Sequence, residues 1–254
     1  RAPVLLAGMT PTTVEPEIVA AAANAGYWVE MAGGGQVTEE VFEKNLAGLV
    51  AGLEDGRTAQ FNAMFMDRYL WNLQFGTQHI VSRNRQSGAP LDGVVISAGI
   101  PETEEGVELV ERLRGEGFTY VAFKPGTIGQ IRQVLKIARA TTAPILIMVE
   151  DGHAGGHHSW EDLDQLLLAT YAEIRAQDNT VLIVGGGLGV PERAAGFLTG
   201  TWALEHGPVP MPVDAIMIGT AAMTAREAKT NDDVKQLLVD TAGVPVDRNA
   251  GWVG

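Results

Sequence analysis

Two hydrophobic patterns take turns along this chain. Short apolar runs without helical spacing, at residues 4–7, 27–30, 59–65, 94–96, 120–123, 145–149, 181–184 and 215–218, read as buried strands of a parallel sheet. Between them lie segments whose apolar residues recur at helical spacing. Residues 17–25 form a helix closed by Gly26. The next, capped by Thr38, carries Phe42, Leu46, Leu49, Val50 and Leu53 on one face. Helices follow at 67–86, at 104–115 with Val107, Val110 and Leu113 inward, and at 128–140. Ser159 opens another, with Asp162 completing a capping box and Leu163, Leu166, Leu167, Thr170 and Ile174 as the apolar face. Pro191 stands at the first position of the helix after the seventh strand.

Eight strand–helix units in 254 residues predict an α/β fold of the (β/α)8, or TIM, barrel type, with a doubly wound open sheet as runner-up. No linker or low-complexity stretch interrupts them. Residues 1–254 therefore read as one domain, a barrel over 1–229 followed by a helix and linker over 230–254. The opening at Arg1, directly before a strand, and the loop-like end from Asn249 to Gly254 read as a stretch of a larger multifunctional chain.

Composition narrows the function classes. The net charge is −13, from 18 Lys+Arg against 31 Asp+Glu, which argues against a nucleic-acid surface. No apolar run reaches membrane-spanning length and no signal peptide opens the chain, so no membrane partner and a cytoplasmic location are expected. The absence of cysteine excludes disulfides, thiolate metal sites and cysteine nucleophiles.

Candidate chemistry gathers just after the strands: Gly8, Met9 and Thr10; Gly33, Gly34 and Gly35; Asn62; Ser97; Lys124; Glu150 through His158; Gly185, Gly186 and Gly187; Gly219 and Thr220. In a barrel these positions share the C-terminal face, where active sites are built. Turn glycines end strands in any βα protein, so the joint pattern carries the argument and no single position does. The run from Gly152 to His158 sets glycines, which admit close approach of a ligand, beside imidazoles that titrate near neutrality. Glycines after the seventh strand and Gly219-Thr220 after the eighth mark the usual phosphate site of such barrels.

A Gly-x-Gly-x-x-Gly fingerprint is missing, because Val190 stands where the third glycine would follow Gly185 and Gly187. A Rossmann nicotinamide fold is therefore not indicated, and the phosphate could belong to a sugar, pyridoxal phosphate or a flavin mononucleotide. Lys124 is the one lysine open to a Schiff-base reading, with no supporting neighbour. His153, His157 and His158 with Asp151 allow a metal reading, but the glycines disfavour a helical His-x-x-x-His face and no second ligand cluster exists. No metal is expected.

Gly155-Gly156-His157-His158-Ser159-Trp160-Glu161-Asp162, with Phe123-Lys124-Pro125-Gly126 and Val184-Gly185-Gly186-Gly187, closely resembles the enoyl reductase domain of microbial type I fatty acid synthases. The resemblance runs from Pro3 to about Glu227, and the Gly-Gly-His-His-Ser segment is its most specific part. It implies an FMN-dependent barrel, akin to bacterial flavin enoyl-ACP reductases and to nitronate monooxygenases, working inside a multienzyme polypeptide. FMN would then cross the barrel mouth, with Gly8, Met9, Thr10, Asn62 and Ser97 against the isoalloxazine and ribityl, and Lys124 at a polar ring edge. Gly186, Gly187, Gly219 and Thr220 would hold the phosphate, and Glu150, Gly155, Gly156 and Gly185 complete the cofactor-binding set.

On the same resemblance, NADPH reduces the flavin, and a trans-2-enoyl thioester on acyl carrier protein then takes hydride at its β-carbon. His157 matches the general acid that protonates the α-carbon, with His158 as its catalytic neighbour. The implied partners are the carrier-bound substrate and the other synthase domains. A nitronate-type flavin oxidase is the nearest rival, and a non-redox phosphate-binding or scaffold barrel the next.

Overall fold

The computed structural model of the protein describes residues 1–152 and 161–241. Each apolar run folds as a strand: β1 (Val4–Leu6), β2 (Trp28–Ala32), β3 (Ala59–Met64), β4 (Leu91–Ser97), β5 (Tyr120–Phe123), β6 (Ile145–Glu150), β7 (Thr180–Gly185) and β8 (Ala215–Ile218). They pair in parallel and in chain order. β8 returns to β1 through Val4↔Ile216 and Leu6↔Ile218, so the sheet closes as a barrel and the open-sheet alternative falls.

Closure explains why the strands read as unbroken apolar runs, since both faces of each are covered. Side chains of one parity fill the barrel: Leu5, Ala7, Val95, Ala122, Leu146, Met148, Ile183, Ala215 and Met217 pack together there. Those of the other parity, among them Val29, Met31, Phe61, Ile96, Phe123, Ile147 and Val184, meet the surrounding helices. A fully buried side chain of this size contributes about 1.5–3 kcal/mol. The inward parity carries polar groups at Glu30 in the middle of β2, at Gln60 near the start of β3, and at Asn62, Ser97 and Glu150 toward the strands' C-terminal ends.

The outer layer comprises α1 (Pro16–Asn24), α2 (Glu39–Gly52), α3 (Arg68–Gln74), α4 (Ile80–Gln86), α5 (Thr103–Gly115), α6 (Ile128–Arg139), α7 (Leu163–Arg175) and α8 (Pro191–Thr199), with α9 (Asp232–Asp240) beyond β8. Gly26 has a φ of +89°, the left-handed turn that ends α1. Thr38 caps α2 by accepting the Val41 N–H, and Pro191 opens α8. Among the described residues no helix is long and apolar enough to cross a membrane.

Three expectations need correction. The single helix over 67–86 is two, α3 and α4. The Phe75 and Gly76 N–H groups both bond to the Trp71 carbonyl, at 2.9 and 2.7 Å, and His79 adopts a φ of 35°. That break tucks Phe75 against Phe61, Trp71 and Phe118, with ring centroids 5.8, 5.5 and 6.2 Å away. The capping box is also different. Asp162 is itself the N-cap of α7, accepting from the Asp164 and Gln165 N–H groups, and Ser159 lies outside the described residues. On α2, Phe42, Leu46 and Leu49 are buried, but Val50 faces solvent, because the buried stripe is narrower than the apolar one.

Candidate active site

At the C-terminal end of the barrel, groups from three strand ends converge on one carboxylate. Glu30 on β2 has a side chain with no exposure to solvent. Its Oε2 accepts from the Gly8 N–H at 2.9 Å, from Asn62 Nδ2 at 2.5 Å and from Lys124 Nζ at 3.2 Å. Asn62 in turn accepts from Ser97 Oγ at 2.7 Å. Lys124 Nζ also donates to Glu150 Oε1 at 3.2 Å. The barrel thus links the ends of β1, β2, β3, β4, β5 and β6 by side chains that sit far apart in sequence.

Backbone pairing fixes these positions. Lys124 lies just past β5, where its N–H still bonds to the Ile96 carbonyl of β4. The Glu150 N–H reaches the Pro125 carbonyl at 3.3 Å. Asn62 and Ser97 lie near the ends of neighbouring strands whose register pairs Met64 with Ser97. Gly8 is required by the cluster: a Cβ there would stand 2.8 Å from Glu30 Oε2 and 2.9 Å from Asn62 Cβ. The Met9 N–H turns inward to Thr13 Oγ1 at 2.7 Å, so neither Gly8 nor Met9 presents its amide to the mouth. Thr10 is exposed, and its hydroxyl packs against Gly34 of the tight turn Gly33–Gly35.

Lys124 is 5% exposed and lies between two carboxylates. Burial alone would lower its pKa, but the negative charges of Glu150 and Glu30 outweigh that and raise it above the ordinary lysine value. It is a fixed cation, which removes the Schiff-base reading, since that chemistry needs a neutral amine. Two of the ammonium's three N–H donors are spent on Glu30 and Glu150. Glu30 Oε1 and both amide atoms of Gln60 are buried without a hydrogen-bond partner among the described residues.

The glycine side of the mouth is built differently. Glu150 pairs in register with Gly185, and Gly185 with Met217, so Gly187 and Gly219 follow two residues further on, past the ends of adjacent strands. Gly186 and Gly187 have φ of +128° and +61°, open to glycine and strained for other residues. A Cβ on Gly186 would come 1.8 Å from Oδ1 of the buried Asp151. Gly219 has room: its Cβ would meet only Met9 Sδ, at 3.6 Å. Thr220 is exposed and starts the 3-10 turn Thr220–Thr224.

His157, His158, Gly155 and Gly156, with His153 of the metal reading, lie outside the described residues. Among the described residues no group of three or more metal-ligand side chains exists. The expected residues Asn62, Ser97, Lys124 and Glu150 come into one bonded cluster, while Gly186, Gly187, Gly219 and Thr220 line the other side. Glu30 and Gln60 were not anticipated. The available signal was a carboxylate and a carboxamide at inward parity in otherwise apolar strands.

Residues 144–253 match the family model described as fatty acid synthase subunit beta/Fas1-like, helical. The chain is 38% identical over 253 residues to the fatty acid synthase beta subunit aflB of Emericella nidulans, covering 99% of this chain and 12% of that protein. It is 37% identical over 249 residues to the fatty acid synthase subunit beta of Saccharomyces cerevisiae, covering 98% of this chain and 12% of that one. Two solved structures share the fold. The enoyl reductase domain of MlnA from Bacillus amyloliquefaciens superposes with a TM-score of 0.69 at 16% identity, over 94% of this chain and 58% of that one. The nitroalkane oxidase from Streptomyces ansochromogenes does so with a TM-score of 0.65 at 19% identity, over 94% of this chain and 70% of that one. The chain spans about one eighth of the length of the synthase subunits it matches. Over nearly its whole length, this chain is similar to one segment of the fungal fatty acid synthase beta subunits.

Proposed function

We propose that this barrel reduces a trans-2-enoyl thioester carried on acyl carrier protein to the saturated acyl thioester, using NADPH and FMN, as one station of a fatty acid synthase. The observation that carries the reading is the buried Glu30–Asn62–Ser97–Lys124–Glu150 cluster at the mouth of a barrel homologous to the synthase beta subunit.

The residues present fit a flavin mononucleotide. The third N–H of Lys124 and the second N–H of Asn62 are left over from the cluster and suit the carbonyl-bearing edge of a flavin ring. The left-handed backbone at Gly186 and Gly187, with the open face of Gly219 beside it, suits a phosphate held on main-chain groups. When bound, FMN supplies the two-electron relay between NADPH and the enoyl double bond.

The chain's own groups do the rest. With FMN bound, Lys124 would set its ammonium, held between Glu30 and Glu150, toward the ring, and Asn62 would keep the orientation that Ser97 and Glu30 give it. The α-carbon of the reduced thioester needs a proton, and His157 is the assigned donor, with His158 orienting its loop. That assignment rests on the Gly-Gly-His-His-Ser motif.

The test separates the two half-reactions. Purified protein should show the visible bands of oxidised flavin, bleach under anaerobic NADPH and recover colour with a crotonyl thioester. His157→Ala should keep the flavin and the bleaching, yet recover about a hundred- to ten-thousand-fold more slowly, whereas His158→Ala should be milder. A colourless protein overturns the reading. Oxygen consumption with a nitronate but no reaction with the thioester favours an oxidase instead. Wild-type recovery in His157→Ala moves the proton donor elsewhere.

A further inference from the structure

Glu30 touches nothing that could react, yet the mouth is assembled around it. Its Oε2 draws donors from three separate places: the main chain after β1, the Asn62 amide on β3 and the Lys124 ammonium after β5. A carboxylate only accepts hydrogen bonds, so the Asn62 NH2 must point at Glu30 and its carbonyl at Ser97 Oγ. The reversed amide would set oxygen against oxygen. The same carboxylate holds Lys124 from one side while Glu150 holds it from the other. Two carboxylates on one ammonium leave one net negative charge, and Glu30 is the member with no solvent to screen it, Glu150 being 21% exposed.

We propose that Glu30 is a positioning residue of the flavin site: it fixes the direction of the Asn62 amide and the place of the Lys124 ammonium, and its buried charge lowers the electron affinity of the group bound above them. The inference rests on the FMN reading. It separates two roles that substitutions can tell apart. Glu30→Gln keeps the volume and an acceptor oxygen but removes the charge. Glu30→Asp keeps the charge but draws the carboxylate back by one methylene, away from Asn62 and Lys124.

The measurements are FMN affinity and the reduction potential of bound FMN, neither of which needs turnover. Glu30→Gln should shift the potential to more positive values, since a buried negative charge no longer opposes electron uptake. Lys124→Gln should shift it the other way. Glu150→Gln should shift it in the same direction as Glu30→Gln, but less, because water screens that carboxylate. A merely structural defect would lower flavin content without this pattern of signs. Glu30→Asp should weaken FMN binding about tenfold or more, because hydrogen bonds to a charged group are lost.

A potential unchanged or more negative in Glu30→Gln overturns the charge role, and wild-type FMN affinity in Glu30→Asp overturns the positioning role. Should Glu30→Gln fail to fold, the Glu30→Asp affinity and the opposed shifts in Lys124→Gln and Glu150→Gln decide the matter. Wild-type protein that binds no FMN sinks both this inference and the function proposed above. Wild-type protein that binds FMN but leaves enoyl thioesters untouched sinks the reductase reading alone.

Discussion

Lys124 holds its ammonium between Glu30 and Glu150, and their charges raise its pKa above the ordinary value of 10.5. In the unfolded chain that shift disappears. The ion cluster therefore adds stability that is complete below pH 10.5 and is lost as pH rises through the higher folded value. Lys124→Gln leaves two carboxylates facing each other without their cation, and breaking a buried pair in this way typically costs about 3 kcal/mol or more. The variant should melt well below the wild type at neutral pH, and the gap should close as pH climbs past the ordinary lysine value. A gap that stays constant with pH would show that the ammonium is not held as a buried cation. Ser97, Lys124 and Glu150 were legible in the sequence because each directly follows an apolar run, and Asn62 because it is a carboxamide within one. Glu30 was not. It is the last residue of the second run, and only the parity of a closed barrel reveals that it faces the same interior as Lys124.

Among elements, strands were easier to read than helix ends. β5 and β8 have the limits expected from their apolar runs, because covered faces leave no polar alternation to blur them. Residues 67–86 misled because Leu70, Leu73, Ile80 and Val81 keep a helical rhythm across the gap, and the aromatic packing that forces the break comes from β3 and from Phe118. The start of α7 misled for a local reason: Ser159 and Asp162 have capping-box spacing, but Asp162 is itself the N-cap, bonding two amides of the first turn. α7 buries Leu163, Leu166, Leu167, Thr170 and Ile174, and the Asp162 cap fixes where it starts. Asp162→Ala should lower stability by about 1 kcal/mol, measured by urea unfolding, while Asp162→Asn should retain most of it. Equal stability of Asp162→Ala and wild type would return the cap to another residue.

For the molecule as a whole, barrel closure matters because it turns scattered strand ends into one mouth, and under the proposed function that mouth is what a tethered substrate would have to reach. The matched synthase beta subunits are about eight times longer than this chain, and the proposed function has the barrel receive its substrate from a tethered carrier. A short flexible tether presents its cargo at an effective concentration on the order of 1 mM. Such a site gains little from tight binding of the thioester itself, because binding the substrate and the transition state equally adds nothing once the substrate is saturating. A free thioester should therefore be a poor substrate, with KM far above any tethered equivalent and kcat little changed. Joining a carrier protein to the barrel by a flexible linker should restore turnover at protein concentrations where separate carrier and barrel are nearly idle. Shortening the linker until it cannot span the distance to the mouth should abolish the gain, since avidity vanishes when geometry forbids engagement. Equal rates for linked and separate carrier at low concentration would mean that the barrel captures its substrate unaided, and the assembly-line reading would fall.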